Sequence, residues 1–97
     1  MSRKITKTAA SAFRWKENFK KANMEVKRGL LGETFLYLHG NLIAHNTNGE
    51  LWVSNAGWQS NTTKERLNGL DGVSVCQQKG KWYLNGKEWN GEWTKVD

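Results

Sequence analysis

Ninety-seven residues, 37 % of them hydrophobic and six of them tryptophan, suffice for one modest core and leave little room for a catalytic cleft. The single cysteine, Cys76, excludes an internal disulfide, and no apolar run reaches the length of a signal peptide or membrane span, so a cytoplasmic chain with no membrane partner is expected. The net charge of +6 is lopsided: residues 1–28 carry nine basic and two acidic side chains (+7), and residues 29–97 carry six and seven (−1).

From Ser2 to about Ala22 the chain has no Gly or Pro and is rich in Ala, Lys and Arg, which predicts a basic amphipathic helix over residues 1–23 with Ser2 as its N-cap. At helical spacing Ile5, Ala9, Ala12, Phe13 and Phe19 form an apolar arc, with Trp15 at its edge. Arg3, Lys7, Arg14 and Lys21 fall on the opposite side, in a line about 27 Å long at about 1.5 Å per residue. Such a line suits phosphates, because each neutralised phosphate releases a counterion. The same stripe also fits a merely solvated face.

The remainder reads as short strands with tight turns. Met24–Arg28 is expected as a first edge strand. Glu33–His39 alternates, with Phe35, Tyr37 and His39 on one face and Leu36 and Leu38 on the other. After a turn at Gly40-Asn41, Leu42–Thr47 and Glu50–Ser54 flank Asn48-Gly49, a pair that favours a type I′ hairpin because both residues tolerate positive φ. Thr62-Thr63-Lys64-Glu65 has the form of a capping box and Gly69 that of a C′ residue, which predicts a short helix over 62–69. Val73–Gln78 and Lys81–Asn85 flank Lys79-Gly80 as a second hairpin, and Glu92–Val96 forms a last strand. The expected architecture is a single α+β domain. In it an N-terminal amphipathic helix packs on a small antiparallel β-sheet over residues 24–97, with one short helix inserted between hairpins. Phe13, Phe19, Leu36, Leu38, Val53, Val75 and Leu84 are the expected core.

Five of the six tryptophans lie in the sheet half. Trp52 opposes Leu51 and Val53 in its strand, so some rings must face away from the core. Rings beside Lys81, Lys87 and Lys95 suit base stacking or a protein interface, and Lys81, Trp82 and Lys87 are the candidate group. The alternative is a second small core, with Trp89 packed on Trp93. His39, His45 and Cys76 lack the spacing of a zinc site, and Cys76 reads as a buried small apolar residue. The ten glycines stand singly at turns and form no phosphate loop. No acid, base and orienting group come together, so a binding protein without cofactor or metal is expected rather than an enzyme.

Asn61-Thr-Thr-Lys-Glu-Arg-Leu-Asn-Gly-Leu70 and Lys81-Trp-Tyr-Leu-Asn-Gly-Lys-Glu-Trp-Asn-Gly91 resemble a domain of small phage and plasmid proteins. Leu36-Tyr-Leu-His-Gly-Asn-Leu-Ile-Ala44 and Ser54-Asn-Ala-Gly-Trp58 fit the same pattern, which covers roughly residues 13–96. The resemblance implies a mobile-element origin and carries over no site residues. By analogy with anti-CRISPR proteins of that origin, it implies an accessory protein that inhibits a host defence complex. The partner would be a host defence protein or ribonucleoprotein whose nucleic-acid-binding surface is occupied. The alternatives are a direct DNA- or RNA-binding protein and a structural phage protein that self-associates. The sequence leaves the oligomeric state open.

Overall fold

A computed structural model describes residues 4–96. Strands make up 40 % of the described residues and helices 20 %, so the protein is mostly β and the expected α+β class is corrected. The difference begins at the N-terminal helix. Helix α1 spans only Lys4–Arg14 and does not reach residue 23. A Schellman closure stops it: Glu17 donates its amide to the Ala12 carbonyl at 2.8 Å and Lys16 to the Phe13 carbonyl at 3.3 Å. Lys16 takes the left-handed conformation this closure needs, with φ 56, so no glycine marks the stop. The segment Phe19–Lys21, expected to be helical, is strand β1.

Strand β1 pairs with β2 (Met24–Arg28) and takes the edge position expected of β2. Strands β3 (Thr34–Leu38), β4 (Asn41–Thr47) and β5 (Glu50–Val53) follow as an antiparallel meander. Asn48 and Gly49 have φ of 55 and 77, the positive pair that a type I′ turn requires. The turn before β4 is His39-Gly40, so His39 leaves the sheet face on which alternation had placed it. Helix α2 (Asn61–Asn68) leads to a second antiparallel sheet of β6 (Val75–Gln78), β7 (Lys81–Leu84) and β8 (Lys87–Glu88). Strand β9 (Thr94–Val96) then returns to pair with β5, giving a six-stranded sheet of order β1-β2-β3-β4-β5-β9.

Helix α1 packs on β1, β2 and β3. Ala9, Ala12 and Phe13 join Met24, Val26, Leu36, Leu38, Ile43 and Val53 in one buried cluster, which continues through Leu67 and Leu70 to Val75, Trp82, Leu84 and Trp89 of the small sheet. Of the expected core, Phe19 is only partly buried and the other six residues are buried. Cys76 is exposed, because Val75 takes the inward position of β6.

Polar contacts fix the helices to one another. Ser60, rather than Thr62, caps α2 by accepting from the Thr63 amide at 3.2 Å. Glu65 is thereby released from a capping box; it accepts from the Thr6 hydroxyl at 2.6 Å and forms an ion pair with Arg66. Arg66 is 3 % exposed and donates to Thr6 Oγ1 at 2.8 Å and Asn23 Oδ1 at 3.4 Å. One buried guanidinium thus ties α2 to α1 and to the β1–β2 turn. Gly69 has φ −74, so it is not a left-handed C′ residue; an added Cβ would lie 2.5 Å from Thr6 Cγ2, and the close helix approach is what requires glycine.

Arg66→Ala removes a buried guanidinium together with its bonds to Glu65, Thr6 and Asn23. Loss of such a buried hydrogen-bonded group is expected to lower stability by about 2–4 kcal/mol, read as a fall in the urea midpoint at constant m. A loss below about 1 kcal/mol, the level of an exposed pair, would contradict the clamp.

Candidate binding face of the sheet

Side chains alternate across a strand, so the residues between the buried positions point away from the helices. In β3 Thr34, Leu36 and Leu38 are buried, and Phe35 and Tyr37 face the other way, half-buried. Cross-strand register turns this alternation into a continuous row. Lys27 pairs with Phe35, Phe35 with His45, His45 with Trp52, and Trp52 with Lys95. The row crosses five neighbouring strands, a span of about 19 Å at about 4.8 Å per strand. It has a lysine at each end and three aromatic rings between. Beside it Tyr37 is flanked by Glu25 on β2 and Leu42 on β4.

The rings touch. His45 lies 6.4 Å from Phe35 and 6.3 Å from Trp52, nearly parallel to the indole at 12°. Trp93, 42 % exposed, folds back to 5.1 Å from His45. Lys27 Nζ stands 5.5 Å over the Tyr37 ring, a cation–π contact, and 3.8 Å from Glu25. Lys95 pairs with Glu50 at 3.0 Å. Both ion pairs are partly solvated, so a phosphate could exchange into either at little cost. The face therefore offers flat π surfaces bounded by cations.

His45 is the middle of the row. Its Nδ1 shares a hydrogen bond with Thr47 Oγ1 at 2.9 Å. Burial among the neighbouring rings disfavours the imidazolium and lowers its pKa from the ordinary value of 6.5.

The residues chosen from the sequence do not form one site. Arg3 lies outside the described residues. Lys7 and Arg14 are exposed on α1, on the opposite side of the sheet from the aromatic row, and both border a groove at the helix's C-terminal end. Arg14 pairs with Asp71 at 3.4 Å. Lys21 sits on edge strand β1 opposite Met24, on the helix side. Lys81, Trp82 and Lys87 do come together, around a groove of about 760 Å³ between the small sheet and β9. Trp82 is 2 % exposed and packs on Trp89 at 6.2 Å, so it is core and not a stacking platform. Trp89 was expected against Trp93; its indole instead donates to the Glu92 carbonyl and Thr94 hydroxyl. Sequence reasoning missed Phe35, Tyr37, His45 and Trp93 as site residues. The Asn48-Gly49 turn held the signal, since a two-residue turn there sets His45 opposite Trp52.

These features define a mostly β protein with helices on one face of its main sheet and aromatic rings on the other. The chain belongs to the Kyanoviridae Gp96 protein family, a phage protein family, whose model matches residues 2–96. The phage origin implied by the sequence resemblance is thereby shown, and an anti-CRISPR role is not part of the match. Neither a curated protein nor a solved structure matches the chain. Among the described residues no helix is long and apolar enough to cross a membrane, and no group of three His, Cys, Asp or Glu side chains could hold a metal ion.

The lowered His45 pKa sets a direction for stability. Between the folded value and 6.5 the unfolded chain binds the proton more readily, so stability present above 6.5 is lost as pH falls below it. Thermal melts at about pH 7.5 and about pH 5 should show this loss, and His45→Phe should reduce it. An unchanged pH dependence in the variant would remove His45 as its source.

Proposed function

We propose that this phage protein binds single-stranded nucleic acid on the open face of its six-stranded sheet, with no catalytic step. The observation that carries the reading is the row Lys27–Phe35–His45–Trp52–Lys95, three rings held in register between two cations. Bases have π faces whatever their identity, so rings on a sheet take up unpaired bases while lysines at the margin meet the phosphates. A sheet of this size accommodates on the order of two or three bases. Paired bases cannot expose their faces, so the row discriminates against duplex. Few hydrogen-bonding groups stand among the rings, so sequence preference is weak. The net charge of +6, carried mainly by the first 28 residues, raises the encounter rate with a polyanion from any direction.

Fluorescence anisotropy with a labelled oligothymidine tests this. Binding is expected at low salt, weaker binding at higher salt, and little binding to a duplex of equal length. Trp52→Ala should weaken binding roughly 5- to 150-fold, the equivalent of about 1–3 kcal/mol for one stacked base. Lys27→Ala should lower the salt slope by about one. An absence of binding at low salt refutes the proposal. Retention on a host ribonucleoprotein in that case would assign the same face to a protein partner, as an inhibitor of a host defence complex requires.

A further inference from the structure

The groove at the end of α1 has features that the stacking face does not use. It measures about 430 Å³, within the size range of small-ligand pockets at roughly 300–1,000 Å³. One wall is the helix end, with Lys7, Arg14, Trp15 and Lys16; the other is the inner face of the sheet, with Thr34 and Asn46. Thr34 is 0 % exposed and its hydroxyl has no hydrogen-bond partner. A buried hydroxyl without a partner is uncommon, because folding removes its water and nothing replaces it. Asn46 stands directly across the ladder from Thr34, and among the described residues its side-chain amide makes no hydrogen bond. Two polar groups on neighbouring strands are thus left without partners on one groove wall.

The mouth has the opposite character. Trp15 is 66 % exposed, with the Arg14 guanidinium 5.6 Å over its ring. Arg14 is held there by Asp71, whereas Lys7 and Lys16 have no ion-pair partner among the described residues. Lys16 owes its place to the left-handed closure of the helix. A planar ring can lie on the indole, an anion can meet the lysines, and hydrogen-bonding groups can reach Thr34 and Asn46. Carboxamides pair with adenine through two hydrogen bonds at once.

We infer that this groove is a second site, for an adenine nucleoside monophosphate, on the face of the sheet opposite the stacking row. The phosphate sits among Lys7, Lys16 and Arg14, and the base is read by Asn46 with the Thr34 hydroxyl. The ligand's source is either free nucleotide or the terminal nucleotide of a strand.

Isothermal titration calorimetry with AMP, adenosine and inorganic phosphate is the test. AMP should bind, and adenosine and phosphate each at least tenfold more weakly. Thr34→Val removes only the unsatisfied hydroxyl, so two opposite effects are expected: a raised melting temperature without ligand, and AMP affinity weakened at least fivefold. A purely structural threonine would not weaken AMP binding. Saturating AMP should leave oligothymidine affinity unchanged if the ligand is free nucleotide. Competition with a 5′-phosphorylated oligoadenylate, but not with its unphosphorylated form, would assign the groove to strand ends. No AMP binding, or equal affinity in Thr34→Val, overturns the inference without bearing on the stacking face.

Discussion

The register between β3, β4 and β5 is the constraint on which the aromatic face depends. Leu36 pairs with Ala44 and Tyr37 with Leu42, so Ile43 is an extra residue in β4. This bulge lets Ile43 and Ala44 both be buried while Leu42 and His45 stay on the outer side. A slip of one residue would send His45 into the core and Ala44 out among the rings. The bulge on one side of His45 and the Asn48-Gly49 turn on the other pin it opposite Phe35 and Trp52. Three rings and two lysines from five strands thus become one surface.

The two faces of the sheet then have different roles. The inner face buries aliphatic residues beneath α1, and the Arg66 guanidinium holds α2 against that helix. With both helices on one side, the outer rings have only one another to pack on, and they remain half-buried. Trp93 adds to them because β9 pairs back onto β5 and brings the end of the chain beside His45. The positive charge lies largely on the helix side and at the edge strand.

Much of the fold was legible locally. Alternation in Thr34–Leu38 and the positive-φ pairs at Asn48-Gly49 and Lys79-Gly80 gave the hairpins, and the aliphatic positions gave the core. The helix end was not legible, because Lys16 adopts a conformation that lysine rarely takes and that no local signal announces. Reading Phe19–Lys21 as helix followed from that, and with it the fold class. The cap of α2 was misplaced because Glu65 is drawn to Thr6, 59 residues away in sequence, as well as to its neighbour Arg66. The site was legible only in part. Outward rings were expected at Trp52, but grouping them required the pairing of strands, and lysine spacing along a helix drew attention to the side of the sheet opposite these rings. Trp82 was misread because β8 and Trp89, which cover it, follow it in the chain.

The central claim is that the aromatic row is where the strand lies. An amide and indole chemical-shift titration of the labelled protein with oligothymidine tests it most directly. Shifts concentrated at Phe35, His45, Trp52 and Trp93, with Lys27 and Lys95 at the margins, are the result the account requires. Shifts confined to α1, or none at all at saturating oligonucleotide, would contradict it.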